Sequence, residues 1–109
     1  MAYDETLAAR VRDELALVPD VSERKMFGGL AFMVAGNMAC GVLKSDLIVK
    51  IAADEHEALM AQAHVRTFDF SGRPMKGMVY VGPGATDGDG DLRSWVERAV
   101  AQARTRPPK

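Results

Sequence analysis

The sequence predicts a two-layer α+β sandwich built in the order helix, four strands, helix, two strands, helix. Three observations predict it. Residues 24–51 hold short apolar runs parted by small or polar breaks, the pattern of consecutive strands. The links between these runs are short, which argues for an antiparallel meander, because parallel neighbours need a long crossover. The chain also ends in one clean amphipathic helix, whose apolar stripe needs a sheet face to cover.

The first helix is expected over Asp4–Leu17. The Asp4 carboxylate can accept the free amide hydrogens of its first turn. Leu7, Val11, Leu15 and Val18 recur at helical spacing, and Pro19 ends the helix. Strands are expected at Glu23–Phe27, Leu30–Val34, Met38–Leu43 and Leu47–Ile51. Gly28-Gly29 permits a bend or bulge after the first strand. Gly36-Asn37 can supply the positive φ angles of a tight turn after the second, and Lys44-Ser45-Asp46 makes the next turn. A second helix is expected over Asp54–Ala63, with Asp54 and Glu57 spaced like a capping box. Its inner face would carry His56, Leu59, Met60 and Ala63. Val65–Phe70 and Gly77–Val81 supply the last two strands, joined through the turn-forming Ser71-Gly72-Arg73-Pro74. Gly82–Gly90 reads as a flexible or tightly turning connector. The third helix spans Asp91–Arg104 on the stripe Leu92, Trp95, Val96, Ala99, Val100 and Ala103. The tail Arg106–Lys109 is expected to fray.

A chain of 109 residues fits one domain, residues 1–109. That size buries roughly two-thirds of the unfolded surface, enough for a core without disulfides or metals. With a net charge of −1 the chain has no overall attraction to nucleic acid or anionic lipid, so no direct nucleic-acid partner is expected. A local basic patch remains compatible with that sum. Cys40 is the single cysteine, which excludes an internal disulfide and fits a reducing compartment. The first ten residues carry Asp4 and Glu5 and no apolar signal core. The apolar runs Leu30–Ala35 and Met38–Cys40 are far below membrane-spanning length. A cytoplasmic protein with no membrane partner is therefore expected.

One strand strains a simple monomer. Leu30, Phe32 and Val34 alternate with Ala31, Met33 and Ala35, so both of its faces are apolar. Either helices cover both sides or the second face meets another copy, and a homodimer is the expectation.

Candidate chemistry is sparse. The acids between Asp87 and Asp91 resemble a calcium loop only superficially. Counted from Asp87, Leu92 stands where the loop needs glycine and Arg98 where it needs glutamate. Gly82-Pro83-Gly84 is no dinucleotide fingerprint, because Asp87 falls at the third glycine. Cys40, His56 and His64 are too few for a zinc site. Cys40 reads as a small buried hydrophobe, and Ser71 in F-S-G-R lacks a nucleophile-elbow context. Met26, Met33, Met38, Met60, Met75 and Met78 read mainly as core filling. The most distinctive polar set is basic. Arg24 and Lys25 precede the first apolar run, and Arg73 and Lys76 flank Pro74. If the two segments converge at one sheet edge, they form a rim for a phosphate or an acidic surface. No catalytic residue, cofactor or metal is expected.

The pieces Lys25-Met26-Phe27-Gly28-Gly29, Gly36-Asn37-Met38 and Gly72-Arg73-Pro74-Met75-Lys76-Gly77 together resemble the TfoX/Sxy amino-terminal domain family. The resemblance covers most of the chain. It implies an α+β fold similar to the secretion-chaperone-like group. It also implies a regulatory role, since full-length members promote natural-competence genes alongside a cyclic-AMP receptor protein and are not enzymes. Only five residues follow Arg104, so the second domain of those regulators is expected to be absent. The resemblance brings no catalytic residues. The expected function is a non-enzymatic, cytoplasmic interaction or regulatory module, with a protein of the transcription machinery as partner. The alternative is a small anionic-ligand-binding protein or enzyme that grips its anion with Lys25, Arg73 and Lys76.

Overall fold

Strands that are apolar over four to seven residues cannot be buried singly, and here they pair into one sheet. The computed structural model describes residues 3–26, 28–69 and 72–108. Helix α1 is Glu5–Glu14, followed by β1 (Val21–Met26), β2 (Gly29–Val34), β3 (Asn37–Leu43) and β4 (Asp46–Lys50). A 3₁₀ turn, Ala53–Glu55, runs into α2 (His56–Met60). Then come β5 (Val65–Phe68), β6 (Met75–Val81), a second 3₁₀ turn at Pro83–Ala85 and α3 (Asp89–Arg104). The expected order holds, as does the α+β sandwich of one antiparallel sheet and a helical layer. Strands are ordered β1-β2-β3-β4-β6-β5, so the first four form the expected meander. Strand β6 pairs with β4 and moves β5 to the far edge.

The turns differ from expectation in instructive ways. After β1 there is a tight hairpin and not a bend, with Met26 paired to Gly29 and Gly28 at φ +78°. Gly29 is needed for a second reason. A Cβ there would press into the carbonyl oxygen of Val42 on the neighbouring strand. The bulge falls later, between Phe32 and Met33. In the β2–β3 hairpin Val34 pairs with Asn37, so Ala35 and Gly36 make the turn, at φ +51° and +84°. The expected pair, Gly36-Asn37, is thus one residue late. Asn37 opens β3 instead, buried, and its amide donates to the Pro107 carbonyl at 2.9 Å. That bond holds the tail, which was expected to fray.

Asp4 caps α1 as expected, accepting from the amides of Thr6 at 2.8 Å and Leu7 at 3.1 Å. The helix stops at Glu14, short of Pro19, and leaves Leu17 exposed. Helix α2 is only five residues long. Asp54 and Glu57 do not form its cap; Glu55 reaches back to the Ala52 amide at 3.4 Å. Strand β5 ends at Phe68, two residues before the expected end, and Phe70 and Ser71 lie outside the described residues. Strand β6 begins two residues early. Phe27, the expected last residue of β1, also lies outside the description. The connector before α3 is shaped by the second 3₁₀ turn. It is tied to α1 by Arg10, whose guanidinium donates to the Thr86 carbonyl at 2.7 Å.

The helices share one side of the sheet. Leu7, Val11, Leu59, Leu92, Trp95 and Val96 pack with the inward residues of the strands, among them Phe32, Val42 and Leu47. Fully burying one such large side chain stabilises the fold by roughly 1.5–3 kcal/mol. The opposite face carries a smaller cluster of Leu43, Ile48, Phe68 and Met78, with Met38 and Tyr80 against it. On this face Ala31 and Met33 of the doubly apolar strand are buried within one chain. The strand therefore does not by itself call for a second molecule. Among the described residues no helix is long and apolar enough to cross a membrane.

Candidate functional site

The four basic residues singled out from the sequence are all exposed, but they do not make one rim. Arg24 and Lys25 sit on edge strand β1. Lys76 is on β6, and Arg73 immediately precedes that strand. Three strands, β2, β3 and β4, lie between β1 and β6. At a strand spacing of about 4.8 Å the two pairs are about 19 Å apart across the sheet. The required convergence fails because β6 inserts beside β4 and not beside β1. Arg24 and Lys25 are further separated by alternation. Lys25 pairs with Leu30 of the helix-side core, whereas Arg24 pairs with Ala31 and belongs to the face turned away from the helices.

Cys40 is fully buried among the helix-side residues, and burial pushes its thiol up to about 12. Such a group stays protonated and is no nucleophile at neutral pH. His64 adopts φ +69°, and its ring fills the space that a side chain at Gly84 would occupy. Its backbone carbonyl accepts from the Gly82 amide at 2.7 Å. The G-P-G segment is thus a clasp over His64.

Lys76 lines a groove of about 500 Å³ together with Ala53, Asp54, His56, Glu57 and Met60. His56 Nε2 lies 3.3 Å from Thr67 Oγ1, an approach that invites comparison with a nucleophile–base pair. The Thr67 hydroxyl also reaches the Met60 sulfur at 3.6 Å, so it bridges α2 and β5 through two side chains. Asp54 and Glu57 also place two carboxylates beside the one ammonium, which works against an anion site.

The face of the sheet turned away from the helices holds the more distinctive arrangement, with Ala31, Ile48, Met33 and Met78 buried on it. One register row crosses all six strands: Arg24, Ala31, Gly41, Ile48, Tyr80 and Arg66. Arginines stand at both ends, with small and apolar residues between. The Arg66 guanidinium lies 5.0 Å from the centre of the Tyr80 ring and donates to Asp46 Oδ2 at 2.6 Å. Phe68 packs against the same ring at 4.9 Å, tilted by 46°. Burial is the main cause of the raised Tyr80 pKa, with the charge of Asp69 adding to it and Arg66 opposing. A pocket of about 320 Å³ opens here, bounded by Leu43, Lys44, Asp46, Arg66, Asp69 and Tyr80.

Sequence reasoning missed this row because it depends on strand order and register. The period-two placement of Arg24 and Arg66 was a usable signal, but only once the topology was known. A second feature was hidden by the net charge. The strand-forming segments, residues 21–50 and 65–81, carry seven Lys and Arg against three acids. The helices and their connections, residues 4–20, 51–64 and 82–105, carry five against twelve. The near-neutral chain is basic in its sheet and acidic in its helical layer.

The signature of the TfoX N-terminal domain matches residues 13–103, which is most of the chain. The chain belongs to that family. No curated protein and no solved structure matches it. TfoX N-terminal domains are not a known enzyme family, and membership suggests a competence-related regulatory module. The motif pieces that resemble the TfoX family have structural duties here. Gly28, Gly36 and Gly72 all have positive φ, Gly29 allows β2 to approach β3, and Asn37 holds the tail.

Proposed function

We propose that this TfoX-type chain is a non-enzymatic regulatory module that acts in the cytoplasm by binding a protein of the transcription machinery. The observation that carries the reading is the family match over residues 13–103. The state of the one thiol agrees with it: Cys40 is sealed in the core. The groove at Lys76 gives the anion-binding alternative little support, because Asp54 and Glu57 share it.

The test is affinity capture of the tagged chain from nuclease-treated lysate of its own host, with quantitative mass spectrometry against a tag-only control. Enrichment of polymerase subunits or of a cyclic-AMP receptor protein is the expected result. Recovery of the bait alone overturns the reading.

A further inference from the structure

We infer that the unpaired edge of β1 takes up an extended acidic segment of a partner protein, which joins the sheet as an additional antiparallel strand. The inference rests on the proposed reading of the chain as a protein-binding module, and it names where and how the partner is held.

Strand β1 is the only strand of the sheet with no buried residue. Val21 is half-buried and residues 22–26 are exposed, while β2 beside it is buried throughout. It pairs with β2 alone, in unbroken register from Val21 to Met26. Its main-chain groups sort by position. The Ala35 amide donates to the Asp20 carbonyl at 2.9 Å, so Asp20 faces β2, and by alternation so do Ser22, Arg24 and Met26. Val21, Glu23 and Lys25 therefore each turn an N–H and a C=O toward the unpaired edge. The opposite edge of the sheet is poorer. Strand β5 has four residues and is irregular between Thr67 and Phe68, and its Arg66 is already bonded to Asp46 at 2.6 Å.

Charge selects the class of strand. Glu23 is neutralised within the chain, since Arg12 donates to both of its carboxylate oxygens, at 2.6 and 2.8 Å. Arg24 and Lys25 have no ion pair among the described residues. They project to opposite faces of the sheet, so an added strand meets both with two adjacent acids. Val21 and Met26, at the ends of β1, suit apolar residues opposite them.

The same charges work against a second copy of this chain. Two identical antiparallel strands meet about a twofold axis, and because opposed residues share a face, one residue must stand opposite itself. The two registers that engage most of β1 set Glu23 or Arg24 against its own copy. Like charges directly opposite destabilise a strand pair. A strand of different sequence escapes that constraint.

The test follows amide hydrogen exchange of the intact, ¹⁵N-labelled chain by NMR. The probe is a capped peptide of about eight residues, Thr-Val-Glu-Glu-Thr-Thr-Val-Thr, at about 0.05 M ionic strength. A control peptide carries Lys in place of both Glu. The acidic peptide is expected to slow exchange at Val21, Glu23 and Lys25 by about tenfold and to leave Ser22, Arg24 and Met26, which already face β2, unchanged. Arg24→Glu and Lys25→Glu should each weaken the peptide by about fivefold, while Arg104→Glu, the same change on α3, stays within about twofold. Lys25→Pro removes an outward N–H and spares the bonds to β2, so it should abolish docking. Thermal melts check that every variant remains folded.

Protection spread evenly over both sets of amides, equal protection by the Lys peptide, undiminished docking on Lys25→Pro, or no saturable change overturns the inference. Protection of the same three amides that grows with chain concentration, with no peptide present, overturns it in favour of a second copy. The two proposals fail separately. If a transcription protein is captured equally by the wild-type and Lys25→Pro chains, the edge falls and the function stands. If the peptide joins β1 but no such protein is captured, the function falls and the edge stands.

Discussion

Gly28 and Gly29 are adjacent, yet different physics holds each in place. Gly28 has φ +78° and open space around it, so Gly28→Ala brings only backbone strain, about 1 kcal/mol. Gly29 has ordinary backbone angles but no room before the Val42 carbonyl. Gly29→Ala is expected to cost more, about 1–3 kcal/mol, because β2 and β3 must part. Urea unfolding of the two variants checks the order, and equal losses would refute it. The sequence marks both glycines as turn formers. It cannot show the contact across the strand pair, which exists only once the register is set. Cys40 was legible from its apolar neighbours alone. Its thiol rises from 9.0 to about 12, so the native state keeps a proton that the unfolded chain releases near pH 9. Stability is therefore full below the unfolded pKa and falls as pH rises above it, by up to about 1.4 kcal/mol per pH unit. Denaturation between about pH 9 and 10 should show that slope in the native chain and a flatter one in Cys40→Ala. A parallel pair of slopes would mean that Cys40 does not carry the effect.

At the scale of elements, the β2–β3 hairpin shows how far local sequence can be read. The run Ala35-Gly36-Asn37 announces a tight turn. Which two residues occupy it is settled by the pairing of Val34 with Asn37 and of Phe32 with Cys40. Ala35 consequently bears a positive φ that suits asparagine better. Ala35→Asn is expected to raise stability by about 0.4–1 kcal/mol, seen as a higher melting temperature. Asn37, freed from the turn, holds Pro107. Asn37→Ala should cost about 1 kcal/mol and make the residues after Arg104 more sensitive to protease; an unchanged cleavage rate would show that the bond does not hold the tail. Helix α2 was the least legible helix. Its apolar face is short, and its start is a 3₁₀ turn that the capping pattern misplaced. Helix α3 was the clearest. Leu92, Trp95, Val96, Ala99 and Ala103 are buried as its stripe predicts, and Val100 packs against the same core.

For the whole molecule, the element order and the two layers could be read from the chain, while the position of β6 could not. Strand order is decided by which apolar edges remain when β5 and β6 pair, information spread over residues 47–81. That one placement separates Arg24 and Lys25 from Arg73 and Lys76 and completes the row from Arg24 to Arg66. It also predicts uneven stability. Strands β2, β3 and β4 each have a partner on both sides, whereas β5 is a four-residue edge. Hydrogen exchange followed by mass spectrometry should find α2 and β5 opening well before the meander, and uniform protection would contradict this. Strands β4 and β6 are hydrogen-bonded neighbours, with Lys50 opposite Met78. The stretch containing α2 and β5 therefore joins two strands that already lie side by side, and β5 itself extends the sheet by one place. A chain that turned directly from β4 into β6 would keep the other strand pairings and lose only the core contributions of Leu59, Val65 and Phe68.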